Sequence, residues 1–172
     1  MIQVLWHGRG GQGAFTAARL LGAAYAQKKN GFALSFPSFG PERRGAPIRA
    51  FTKLDDRPIG NRSEILQADY SIYLDDTLFS QAALSEIKTG GKILLNTKHP
   101  VFDNKVITID GDTIAKEILG LPITNTIMLG ALSAVFNEIE IEEIAQAIRE
   151  NMPKKLWDKN IAAVKAAREA VR

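Results

Sequence analysis

The sequence predicts an α/β fold: a single three-layer α/β/α domain over residues 1–172, with a mostly parallel central sheet and a helical C-terminal part. Three observations predict it. Short runs rich in β-branched and aromatic residues alternate with helical patterns as far as Ile109, the signature of strands joined by helices. From Asp112 onward the pattern is helical alone. With 172 residues, 45% hydrophobic and 24% charged, the chain can bury one substantial core, and it shows no linker, repeat or low-complexity tract.

Ile2 to Trp6 alternates as a buried strand, with Ile2, Val4 and Trp6 on one face. A glycine-rich turn follows, and Ala14 opens a helix reaching to Lys28 and ended by Asn30-Gly31. Its Ala17, Ala18, Gly22, Ala23, Ala24 and Ala26 are small enough to lie close to a sheet. Ala33 to Phe36 is the second strand and Ile48 to Leu54 the third. The connection between them is too short for a crossover helix, which allows an antiparallel entry and a mixed sheet. Asp55-Asp56-Arg57-Pro58 is a turn, and Ser63 caps a short helix to Ala68. Tyr70 to Leu74 is a buried strand. Asp75-Asp76-Thr77 then starts a helix through Lys88, with Asp75 as its cap. Gly90-Gly91 turns into the strand Lys92 to Leu95, Asn96 to His99 is a loop, and Val106 to Ile109 is a short strand.

Thr113 to Leu119 is a short helix stopped by Gly120 and Pro122. Asn125 caps Thr126 to Phe136, which is apolar nearly all round and so must be buried. Ile141 to Asn151 carries an apolar stripe of Ile141, Ile144, Ala145 and Ile148 and is broken by Pro153. Lys155 to Val171 closes the chain, with Ile161, Val164, Ala167 and Val171 as a face.

The chemistry concentrates between Gly8 and Pro47. A strand, the turn Gly8, Arg9, Gly10, Gly11, Gln12, Gly13 and a helix start make an anion-friendly unit, because glycine permits close backbone approach and free N–H groups point outward. Close packing of helix on strand is the other use of such glycines. Gly8, Gly10 and Gly13 match G-x-G-x-x-G, but the acid that a dinucleotide site needs about 20 residues on is absent from Asn30 to Phe39. A P-loop would require Lys and Ser/Thr where Ala14 and Phe15 stand. Residues 1–49 hold seven Lys/Arg and one acid, Glu42, a local positive excess that favours phosphate or carboxylate. The loop Pro37, Ser38, Phe39, Gly40, Pro41, Glu42, Arg43, Arg44, Gly45, Ala46, Pro47 is braced by three prolines and presents two arginine forks suited to the same groups.

Other chemistries find no residues. There is no cysteine, which excludes disulfides and cysteine-held iron–sulfur clusters in this chain. His7 and His99 lie far apart without metal-like spacing, and His7 reads as structural. Asp55 and Asp56 are turn formers, and no nucleophile–base pair is visible, so neither catalytic nor metal residues are assigned. The pI of about 9.2 comes from one glycine-rich segment without a nucleic-acid motif. The apolar runs fall far short of a membrane span, and the strand at Ile2 is preceded by no signal-peptide pattern, so a cytoplasmic location is expected.

GRGGQG followed by a Thr-Ala-Ala helix, and then FPSFGPERRGAPIRAF, resembles the gamma subunit of pyruvate:ferredoxin oxidoreductase and the corresponding domain of the single-chain enzymes. The likeness spans nearly the whole chain. FGPERRGAP looks like the pyruvate branch; the branched-chain 2-oxoacid branch has a closely similar loop, and the 2-oxoglutarate branch usually departs at the arginines. The resemblance implies a subunit of a multi-subunit 2-oxoacid:ferredoxin oxidoreductase, or pyruvate synthase. That complex interconverts pyruvate, coenzyme A and oxidised ferredoxin with acetyl-CoA, carbon dioxide and reduced ferredoxin. It implies alpha, beta and ferredoxin-like delta subunits as partners, with thiamine diphosphate and 4Fe-4S clusters held there and ferredoxin as acceptor. The chain would bind no cofactor alone and be inactive alone. The sites carried over are Gly8–Gly13 and Ser38–Gly45, reaching coenzyme A or a neighbouring subunit. A stand-alone domain that captures a phosphorylated metabolite is the competing reading.

Overall fold

The computed structural model describes residues 1–38 and 44–171. Its strands are β1 (Ile2–Arg9), β2 (Phe32–Pro37), β3 (Pro47–Asp55), β4 (Ala68–Tyr73), β5 (Ile87–Asn96) and β6 (Val106–Ile109). They form one sheet in the order β2-β3-β1-β4-β5-β6. β1, β4, β5 and β6 run parallel, while β3 enters antiparallel to both β1 and β2, so the sheet is mixed. β1 alternates as its sequence predicts: Val4 and Trp6 join the main core, Leu5 the opposite one. Trp6 Nε1 donates to Thr52 Oγ1 at 3.1 Å, and that hydroxyl donates to Ala18 O at 3.0 Å, tying β1, β3 and the first helix together.

The helices are α1 (Ala14–Tyr25), α2 (Gly111–Ile114, continued by a π turn over Ala115–Leu119), α3 (Asn125–Val135), α4 (Ile141–Asn151) and α5 (Trp157–Ala170). The larger core gathers side chains from α1, α3, α4 and α5 onto one face of the sheet. α1 lies on β1, β2 and β3, and α3 packs between the sheet side and α5. Every residue from Asn125 to Ser133 is buried, in line with the all-round apolar pattern. α4 has the predicted bounds and a capping box in which Glu140 N donates to Glu143 Oε2 at 2.8 Å.

The opposite face is covered more thinly. The helix expected from Thr77 to Lys88 is instead two 3-10 turns, Asp76–Leu78 and Gln81–Glu86, after which Ile87 and Lys88 already belong to β5. Tertiary contacts override the local pattern: Ile87 pairs with Ala68, and the Glu86 carboxylate is drawn to His7 and Tyr73. The helix expected from Ser63 to Ala68 is also absent. The buried Lys53 ammonium takes the Asn61 and Ser63 carbonyls, at 3.1 and 2.7 Å, and Ser63 donates its hydroxyl to Asn61 instead of capping. Ile65 and Ala68 anchor that stretch beside Leu5 and Phe51. Gly90-Gly91 lies within β5, where the register against β4 shifts. α1 stops at Tyr25, three residues early, in turns that bond Lys28 N to Tyr25 O. Thr124, not Asn125, is the cap position of α3, and a 3-10 turn over Lys154–Leu156 precedes α5.

α3 and α5 approach so closely that a Cβ on Gly130 would stand 2.4 Å from the Val164 carbonyl oxygen. That neighbour is backbone and cannot swing aside. Gly130→Ala is therefore expected to destabilise the fold by about 1–3 kcal/mol through overpacking. Urea unfolding should show a lower midpoint with an unchanged slope.

Candidate functional site

At the carboxyl ends of β1 and β4 the chain leaves in opposite directions, toward β2 and β3 on one side and toward β5 and β6 on the other. Crevices for ligands form at such switch points. Here the crevice is knotted by side chains. Arg9 Nε donates to Asp75 Oδ2 at 3.2 Å, Nη1 to Gly45 O at 3.1 Å and Nη2 to Thr77 Oγ1 at 2.8 Å. Gln12 Oε1 accepts from Arg9 N at 2.7 Å, and its Nε2 donates to Asp75 Oδ2 at 3.0 Å. Asp75 caps as predicted, accepting from Thr77 N at 3.0 Å. Gly10 and the end of the second loop are stitched by Gly10 N to Ala46 O (2.9 Å) and Gly45 N to Gly10 O (3.1 Å).

Arg9 and Gln12 are thus internal braces, with their polar atoms turned to the protein. Gly13 starts α1 with φ of 82°, a left-handed conformation that a side chain would strain, and its missing Cβ leaves room for Asn125 Nδ2. Among the described residues no side chain caps the first turn of α1. That turn, Gly10, Gly11, Gly13 and the exposed Arg44 border a cavity of about 680 Å³. Gly8 lies beneath, against Ala14. Ser38 faces away from the cavity: its hydroxyl donates to Glu64 Oε1 at 2.7 Å, and Arg49 holds the other oxygen at 2.9 Å. Phe39, Gly40, Pro41, Glu42 and Arg43 lie outside the described residues.

A second polar group sits on the thinly covered face. The His7 ring stacks on Tyr73 at 4.1 Å and 6°. Its Nε2 is 2.9 Å from Glu86 Oε2, a close polar contact although poorly angled for a hydrogen bond. The Tyr73 hydroxyl donates to the same oxygen at 3.0 Å. The His7 contact, helped by Tyr73, holds Glu86 below the usual carboxylate range against the opposing effect of burial, while burial pushes Tyr73 up. This group fills the space between β1, β4 and the second 3-10 turn. Among the described residues no cluster of His, Asp or Glu is placed to hold a metal ion, and no helix is long and apolar enough to cross a membrane.

A family model described as pyruvate ferredoxin/flavodoxin oxidoreductase matches residues 3–170. The chain belongs to this family. It is 42% identical to the pyruvate synthase subunit PorC of Methanothermobacter marburgensis, over 100% of this chain and 98% of that one. It is also 42% identical to the pyruvate/ketoisovalerate oxidoreductases common subunit gamma of Thermococcus litoralis, over 99% of this chain and 95% of that one. The crystal structure of pyruvate oxidoreductase subunit PORC from Thermotoga maritima superposes with a TM-score of 0.84 at 30% identity, covering 99% of this chain and 97% of that one. The chain is a gamma-type subunit of the 2-oxoacid:ferredoxin oxidoreductases, as the two loop motifs imply.

Asp75, Thr77 and Asn125 complete the site and were not legible in the sequence as site residues. Asp75 gives a local capping signal, but its second role depends on Arg9, 66 residues away. Burial alone would raise the Asp75 pKa, but hydrogen bonds from Thr77 and Gln12 and the Arg9 charge outweigh it and hold the carboxyl below its ordinary value. A depressed carboxyl contributes stability that is present above its unfolded value, about 3.9, and lost as pH falls through the folded one. Asp75→Asn should cost about 2 kcal/mol at neutral pH. It should also flatten the loss of stability below about pH 4, which thermal melts of both proteins across the acid range will read.

Proposed function

We propose that this gamma subunit serves a pyruvate:ferredoxin oxidoreductase and that its loop-built end seats the phosphates of coenzyme A. Alpha, beta and ferredoxin-like delta subunits are its partners in the cytoplasm, with ferredoxin as acceptor. Thiamine diphosphate and the 4Fe-4S clusters are held by those partners; a chain without cysteine supplies no cluster ligands. The observation that carries the reading is the cavity between Arg44 and the uncapped first turn of α1. The first turn of α1 and Arg44 both border it, and backbone N–H groups with a guanidinium are the combination that recognises phosphate. The loop around Arg44 is pinned to Gly10, so the arginine is presented from an ordered base.

Lysine keeps the charge of arginine but loses its fork. In the assembled complex, Arg44→Lys should raise the Michaelis constant for coenzyme A roughly tenfold to a hundredfold, leaving that for the 2-oxoacid unchanged. Weaker assembly with normal coenzyme A kinetics would assign Arg44 to a partner carboxylate instead, and no change in either would make it a solvated surface group.

A second substrate reading has its own support, since relatives at the same identity are named as common to pyruvate and ketoisovalerate enzymes. A panel of 2-oxoacids on the purified complex decides between pyruvate and a branched-chain acid. The same panel run on the isolated chain, supplied with thiamine diphosphate and coenzyme A, is expected to give no dye reduction. Turnover comparable to the complex would overturn the subunit role.

A further inference from the structure

A second recess opens on the other side of the first turn of α1. Thr16, Leu119, Ile123, Asn125, Met152 and Leu156 enclose about 250 Å³, the room of one large apolar side chain. Leu121 and Ile123 stand at its mouth and are 56% and 39% exposed, in a protein whose other large apolar residues are mostly buried. Thr16, Asn125, Lys159 and Asn160 bring polar groups to an otherwise apolar lining. Asn125 is 6% exposed, and its Oδ1 accepts from Thr126 N at 2.8 Å, which fixes the orientation of the amide. Its Nδ2 has no hydrogen-bond partner among the described residues. Asn125 lines the recess, where an acceptor can reach that donor.

Charge gives the occupant its character. Lys159 lines the recess, and Lys154 and Lys155 flank Leu156 on the turn before α5. Leu121 is shared with a neighbouring hollow lined by Gln12, Lys98 and Lys116. Lys116, Lys154, Lys155 and Lys159 are exposed and form no ion pair among the described residues; Lys98 reaches Asp110 only at 3.9 Å. The acids in these stretches are Asp112, Glu117 and Asp158, and Asp112 already accepts from Asn96. A largely apolar slot whose second amide, Asn160, is already bonded to Thr126 and Leu156, with Asn125 Nδ2 left as donor and a rim of lysines outnumbering acids, suits a peptide segment, not a metabolite.

We infer that this recess is a docking slot for a segment of a partner subunit: one large apolar side chain enters, a backbone carbonyl accepts from Asn125 Nδ2, and flanking Asp or Glu residues meet the lysine rim. The inference rests on the reading of the chain as a subunit of a larger oxidoreductase. Gln12 joins this surface to the knot at Asp75, so the segment would lie beside the coenzyme A end without covering Arg44.

The test uses the complex assembled by co-expression. A photo-crosslinking residue at Leu121 should capture a partner-subunit peptide carrying an apolar residue close to Asp or Glu. Leu121→Asp combined with Lys159→Glu should weaken assembly at least tenfold, as loss of an apolar anchor does. Lys159→Arg should not weaken it. Both positions are exposed, so the melting temperature of the isolated chain should stay the same and certify folding. Unchanged assembly of the double variant would overturn the inference, as would cross-links only between copies of this chain. A raised coenzyme A Michaelis constant with intact assembly would also overturn it and give the recess to a small molecule. In all three cases the wild-type complex still forms, and the subunit reading stands. A wild-type chain that joins no such complex removes both.

Discussion

Arg9 and Asp75 lie 66 residues apart in sequence and meet at 3.2 Å where two neighbouring strands end. Around that contact the functional end of the molecule is arranged. Asp75 takes Arg9, Gln12 and Thr77 on its two oxygens, so one carboxylate joins the glycine turn to the start of the thinly covered face. Arg9 then extends the tie to the Gly45 carbonyl, and the Gly10 backbone closes it with Ala46. Networks of this kind are cooperative, since each bond orients the next. Loss of the carboxylate would leave a partly buried guanidinium with neutral oxygens alone. Arg44 is presented to its cavity because the residue after it is held in this way.

The same logic accounts for the charge pattern. The first 49 residues are strongly cationic and the remainder carries an excess of acids. In the fold the two populations are partly matched: Arg9 with Asp75, Lys28 with Glu138, Arg49 with Glu64. Exposed pairs such as the last two add little stability. Their effect is to draw Lys28 and Arg49 into pairs with acids of the later chain, while Arg44 stays exposed beside the start of α1. A high pI can therefore arise from charges that serve as internal ties, which is why composition alone gives a poor picture of a binding surface.

The elements that could be read in sequence are those whose signals are local. α4 has its predicted bounds because Glu140, Glu143 and the apolar stripe all lie within one helix. The burial of α3, the turn before α1 and the mixed sheet follow from composition and connection length in the same way. The two failed helices were decided from a distance, by Lys53 taking the Asn61 and Ser63 carbonyls and by Ile87 entering the sheet beside Ala68. The consequence is a sheet whose α-helices, among the described residues, gather on one face, with turns and irregular chain on the other. The glycines and Arg44 of the candidate site were visible as unusual residues. Which of them face a cavity and which brace the fold was not, because Arg9 and Gln12 find their partner in a segment that carries only a capping signal of its own.

The central position of β1 bears on how the molecule comes to exist. It precedes both of its neighbours in the sheet, Pro47–Asp55 and Ala68–Tyr73, in chain order. During synthesis Val4 and Trp6 must wait without a partner strand until both have left the ribosome. Non-local pairing of this sort slows folding and exposes apolar edges while it is pending. α1 has no such delay, since a helix closes on its own residues within about a microsecond. Its alanine face can shelter Val4 and Trp6 once Tyr25 has left the ribosome, before the sheet has a centre. The small-residue helix beside the glycine turn is therefore also an early cover for the apolar face of β1 in the nascent chain.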